Sequence, residues 1–145
     1  MGCEEARKHA ELINNSEDAL RIAIRFSNVL RANKKYGEAE SILSSLGKSI
    51  DFSSPNRVHG HFHLAQAKVY FGLCEEAKET TYRFFSAMDN YLELSKKHAK
   101  LALDIAQLLK AEQDEIDAHQ FLIALMNPGI KLVNHLGFYS PPLAA

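Results

Sequence analysis

Three histidines alternate at His59, His61 and His63, the densest set of metal-ligating side chains in the sequence. On a helix, His59 and His63 share a face at i, i+4, the spacing that lets two imidazoles reach one ion. No glutamate stands between them as in HExxH, and no third ligand follows nearby, so a metal site is not expected. Paired carboxylates occur at Glu75-Glu76 and among Glu112, Asp114, Glu115 and Asp117. Both groups fall near expected helix starts, where acidic side chains favour the macrodipole. Cys3 and Cys74 lie far apart with no CxxC pattern and no secretory leader, which reads as reduced thiols in an intracellular protein, cytoplasmic or nuclear. No nucleophile elbow, P-loop or dinucleotide fingerprint is present, so neither catalysis nor a cofactor is expected.

Charge and hydropathy narrow the partners. The 17 basic and 18 acidic side chains nearly cancel, which argues against a nucleic-acid binder with a broad basic field. No apolar run approaches the ~20 residues needed to cross a bilayer. Met1-Gly2-Cys3 is how a dual-acylated chain begins. Ala6, however, stands where that motif wants Ser or Thr, and Glu4 and Glu5 would be repelled by an anionic surface. The expected partners are therefore other proteins, with no nucleic acid and no membrane.

The elements that must position these residues read as helices. The sequence has only seven glycines and four prolines, and the prolines fall between or after apolar-periodic stretches. Residues 4–13 carry Ala6, Ala10 and Ile13, a weak first helix, with Ser16 placed to cap the next. Residues 17–32 and 37–47 show 3- and 4-residue spacing and form a hairpin turned at 33–36. Ser54-Pro55 suits an N-cap followed by a first-turn proline. A helix over 56–71 leads through Gly72 into another beginning near Glu75, a second hairpin. Residues 91–110 and 112–126 give a third, closed by Asn127-Pro128-Gly129. A short apolar segment follows over 130–136. The fold class is all-α, with one domain over 1–136 and a tail over 137–145.

One spacing recurs three times along these pairs. Ser27 and Ala39, Ala65 and Ala77, and Ala106 and Ala118 each stand twelve residues apart, with Leu46, Phe84 and Leu125 seven residues further on. Small side chains let two helix backbones cross closely, and large ones fill the gaps beside them. With Lys35-Tyr36-Gly37-Glu38-Ala39 and Gly72-Leu73-Cys74-Glu75-Glu76-Ala77 as central turns, the stretch over 20–127 resembles the tetratricopeptide repeat. It departs in spacing, 38 and 41 residues between successive alanines against the family's roughly 34. It departs also at Lys68, where the family has a large side chain. The order of features from His59 to Leu136, ending in Gly129-Ile130-Lys131-Leu132-Val133-Asn134-His135-Leu136, resembles the C-terminal region of the subunit 5 family of the anaphase-promoting complex, a cell-cycle ubiquitin ligase.

The resemblance implies a short right-handed superhelix of about three stacked hairpins plus a flanking helix. Its concave face would be lined by Arg21, Ile24, Asn28 and Arg31, by His59, Phe62, Gln66 and Tyr70, and by Lys100, Leu103, Gln107 and Lys110. Such a face suits an extended acidic or C-terminal peptide. Ile24 stands where chaperone-tail-binding members have a lysine, so a chaperone adaptor is not implied. The implied function is a protein-binding scaffold, a structural part of a multi-subunit assembly. The alternative is a free-standing adaptor that holds one peptide in the groove.

Overall fold

The computed structural model describes residues 15–80 and 85–126. The expected first helix over 4–13, the Met1-Gly2-Cys3 start, Phe84, the stop at Asn127-Pro128-Gly129, the segment over 130–136 and the tail all lie outside them. Within the described residues the chain is all-helical: α1 (Asn15–Ala32), α2 (Tyr36–Gly47), α3 (Arg57–Thr80), α4 (Phe85–Leu108) and α5 (Glu112–Met126). Helix α1 begins before Ser16, so that residue is part of the first turn rather than its cap.

The first and third expected hairpins form, and their turns are alike. In each, a lysine adopts left-handed backbone geometry, Lys34 at φ 60° and Lys110 at φ 56°. The next residue then donates its N–H five residues back, Lys35 to Leu30 at 2.8 Å and Ala111 to Ala106 at 2.9 Å. This is the Schellman closure of a helix C-terminus, made here without glycine. The small residues at the crossings, Ser27 with Ala39 and Ala106 with Ala118, are all buried.

The middle hairpin does not form where the spacing places it. Helix α3 runs without interruption through Gly72, Glu75 and Ala77. Ala65 and Ala77 therefore sit on one helix, turned by about 120° from each other at 100° per residue. Gly72 serves a close approach instead of a turn: a Cβ there would run into the Tyr36 ring at the start of α2. The acidic pair Glu75-Glu76 lies inside α3 and not at a helix start. A long α3 paired with a long α4 replaces the expected second repeat.

Helix α3 is the spine of the molecule. It packs most extensively on α4, and it also meets α1, α2 and α5. One side joins Val58, Phe62, Ala65 and Val69 to Leu20, Ala23, Ala39 and Leu43 of the first hairpin. Another joins Leu64, Ala67 and Phe71 to Phe121, Leu122 and Leu125 of α5 and to Ala99 of α4. Phe52, in the loop before α3, seals the first core by stacking on Phe62 with ring centres 5.6 Å apart. Burying side chains of this size stabilises by about 1.5–3 kcal/mol each.

Candidate functional site

The three alternating histidines fall on two sides of α3, because a step of two residues turns 200° around a helix: His59 and His63 both lie against Phe52, and His61 faces away. His59 is the third residue of α3, and its backbone N–H donates to the Asn56 side-chain oxygen at 3.1 Å. Its ring nitrogen Nδ1 accepts in return from the Asn56 backbone N–H at 3.4 Å. This is a capping box with histidine in the place of Glu or Gln. Asn56, not Ser54, is the N-cap, and Pro55 precedes the helix. Burial pushes the His59 imidazole down against the opposing pull of Glu17 and Asp51.

His63 points to α4 instead. Its Nδ1 lies 3.1 Å from Nδ1 of His98, with the rings stacked at 5.3 Å. One ring must carry its proton on Nδ1 and the other its lone pair. Tyr70 stacks on the far side of His98 at 5.7 Å, and its hydroxyl donates to Glu40 at 3.0 Å. Desolvation holds both imidazoles down at about 4, helped by nearby Lys97. The same α3–α4 seam contains buried Ser95, which donates to the Ala67 carbonyl at 2.7 Å. No spacing signal marked Ser95 in advance.

His61 turns toward α5, where its Nε2 lies 3.1 Å from Oδ2 of Asp114. Arg57, one turn earlier, grips the same carboxylate with Nε at 2.7 Å and Nη2 at 3.1 Å. The guanidinium fork matches a carboxylate's two oxygens, and such charge-assisted bonds are stronger than neutral ones. Hydrogen bonding to Arg57 is the main reason the Asp114 carboxyl lies below the usual range. The cavity beneath this cluster, bounded by Gly60, Leu64, Ala102 and Ile105, holds about 20 Å³, room for one water and no substrate.

Two turns further along this side of α3 stands Lys68, between Arg31 of α1 and Asp117 of α5, both of which affect its charge. Lys68 and Arg31 are half-buried. Arg31 Nε is enclosed and has no hydrogen-bond acceptor. Among the described residues neither cation enters an ion pair. Burial pushes the Lys68 ammonium down and Arg31 pushes it further, while Asp117 opposes. Desolvation likewise lowers the Arg31 guanidinium.

The groove implied by the repeat resemblance is only partly assembled. Arg21, Ile24, Asn28 and Arg31 do share one flank of α1, at 3- and 4-residue steps. Arg21 is engaged by Glu17 and Asp18 on its own helix. On α3, however, His59, Phe62, Gln66 and Tyr70 are buried, Phe62 to 1% exposure. They form core and seam rather than an open face, because α3 is surrounded by neighbours. Lys100, Gln107 and Lys110 are exposed, with Gln107 bonded to Glu115 at 3.3 Å. Lys100 and Gln107 belong to α4, which lies against α3 and α5, and Lys110 lies in the turn that follows it. Glu112, Asp114 and Glu115 occupy the first turn of α5 as expected, but no spacing signal indicated that Asp114 would serve α3.

Large apolar side chains are exposed at the edges. Ile22, Phe26 and Val29 form a stripe along α1, and Leu108, Leu109, Ile116, Ile123 and Met126 cluster on the α4–α5 hairpin. Cys74 is buried and its thiol is pushed up by desolvation, which leaves it unreactive. Among the described residues no three His, Cys, Asp or Glu side chains converge as metal ligands. None of the described helices is long and apolar enough to cross a membrane. Compared with known proteins, the chain matches no family model, no curated protein and no solved structure.

Proposed function

We propose that the chain is a protein-binding scaffold of tetratricopeptide type, docked into a multi-subunit assembly through the apolar faces of its outer helices. The observation that carries this reading is where the exposed large apolar side chains fall. Among the described residues they lie on α1 and on the α4–α5 hairpin, and none lies on the central α3. Ile22, Phe26 and Val29 at i, i+4 and i+7 make a continuous stripe, the pattern by which a helix presents an apolar face to a partner. The like turns of the two hairpins support a repeat origin, and the continuous α3 is the departure from it. The sequence resemblance makes the anaphase-promoting complex the first assembly to test.

Purification of the tagged chain from native extract, with stoichiometry read by mass spectrometry, tests this reading. Several subunits should follow the chain in fixed ratio. Phe26→Glu and Ile123→Glu, each introduced alone, should reduce their recovery by tenfold or more while circular dichroism stays helical. Unchanged recovery in both variants removes apolar docking.

A second reading, a free adaptor for an acidic peptide, is favoured by Arg31 and Lys68, which enter no ion pair among the described residues. Binding through those charges weakens with ionic strength, whereas apolar docking does not.

A further inference from the structure

Arg57 shows what an arginine on this side of α3 does when a carboxylate is in reach: Nε and Nη2 take its two oxygens together. Among the described residues the enclosed Nε of Arg31 has no such acceptor. A buried donor without a partner is destabilising, the more so when it is charged. Lys68 adds a second half-buried cation across the α1–α3 junction. Like charges brought together away from water are unfavourable unless an anion joins them. The repeat resemblance implies a large side chain at this position, and Lys68 stands there instead.

We propose that Arg31 and Lys68 form a receptor for one carboxylate carried by a bound protein segment. This deepens the reading of the chain as a protein-binding scaffold and rests on it. Charge balance selects the ligand: two cations with Asp117 nearby leave about one net positive charge, which a carboxylate neutralises and a phosphate dianion exceeds. Arg31 supplies the planar fork, and Lys68 supplies a point charge on a movable stem. The stripe of Ile22, Phe26 and Val29 lies on the opposite face of α1 from Arg31, so the carboxylate site and the apolar stripe are separate surfaces.

The side-chain Nε–H resonance of Arg31 reads the site directly in the full chain. Acetate should shift it saturably, at concentrations below those that move the exposed Arg25 resonance. Lys68→Met should weaken the acetate response about tenfold, and inorganic phosphate should bind no more tightly than acetate. A response of Arg31 no earlier than that of Arg25 overturns the proposal, and so does tighter binding of phosphate. It is equally overturned if the joint change of Glu4, Glu5 and Glu11 to Gln moves the Arg31 resonance and opens the site to acetate, because the carboxylate would then come from within. Absence of an acetate response with intact fixed-ratio recovery from extract removes the receptor and leaves the scaffold. Loss of recovery with an intact acetate response does the reverse.

Discussion

The two flanks of α3 satisfy their polar groups in opposite ways. Toward α4 the seam is neutral: His63 and His98 share one hydrogen bond, Tyr70 stacks beside them and Ser95 bonds to a backbone carbonyl. Toward α1 and α5 the flank is ionic, closed at its start by Asp114 and left with excess positive charge at Lys68 and Arg31. The neutral seam pairs these groups internally, although Oε1 of buried Gln66 on the same helix has no partner among the described residues. The ionic flank is complete only at one end. A protein that must both fold and bind can divide those tasks between two sides of one helix.

Acid should break the neutral seam first, and this is the largest effect expected. His63 and His98 are held at about 4 in the folded chain against 6.5 when free. As pH falls from 6.5 to 4 the unfolded chain takes up protons that the folded chain refuses, so stability declines across that window and levels off below it. For His63 alone the loss is on the order of 3 kcal/mol. Because the two imidazoles share a contact, the pair loses less than twice that. His59 acts in the same direction. Asp114, whose pKa is lowered, contributes stability above its free value of 3.8 and loses it only at more acid pH. Urea unfolding at several pH values checks this. His63→Phe should flatten the decline between pH 6.5 and 4, and an unchanged slope would contradict the buried neutral pair.

Much of this contrast was hidden in the sequence for geometric reasons. Apolar periodicity suffices to place the outer hairpins, whose turns fall between Ala32 and Tyr36 and between Leu108 and Glu112. The middle failed because a twelve-residue spacing has two meanings: across a turn it brings small residues together, and within one helix it turns them apart. Gly72 looked like a helix end, yet it is there for the Tyr36 ring. His59 and His63 stay on one side of α3, both against Phe52, while His61 turns away to Asp114 of α5. Arg31 was legible as a groove cation and Lys68 as an oddity of the repeat. Their meeting was not legible, since it depends on how α1 lies along α3. Four of the expected groove residues became core for a related reason: a helix with neighbours on several sides has little face to spare.

Removing Asp114 should damage the closed end of the ionic flank by a smaller amount. Asp114 is 14% exposed, so its carboxylate is held mainly by Arg57 and His61. Asp114→Ala should lower stability by about 1–2 kcal/mol. Arg57 is 61% exposed, so solvent screens the ion pair, and Arg57→Ala should cost less. A double-mutant cycle in urea isolates the coupling, expected at about 0.5–1 kcal/mol and reduced by salt. Additive effects would show that α5 is held by its apolar contacts alone.

At the open end the same kind of substitution should have the opposite sign. Lys68 brings a charge into a half-buried site without an ion-pair partner, so Lys68→Met keeps the stem's packing and removes the uncompensated charge. Stability should rise by about 1 kcal/mol. The pH dependence gives an independent check on the cause. Because the Lys68 ammonium is pushed below 10.5 in the folded chain, the folded state releases its proton first. The wild-type chain therefore gains stability as pH rises toward 10.5, and Lys68→Met should lack that gain. Were Lys68→Met destabilising at neutral pH, Lys68 would be a satisfied structural cation like Arg57. The two ends of the flank would then be equivalent, and the case for an external carboxylate would go with the difference between them.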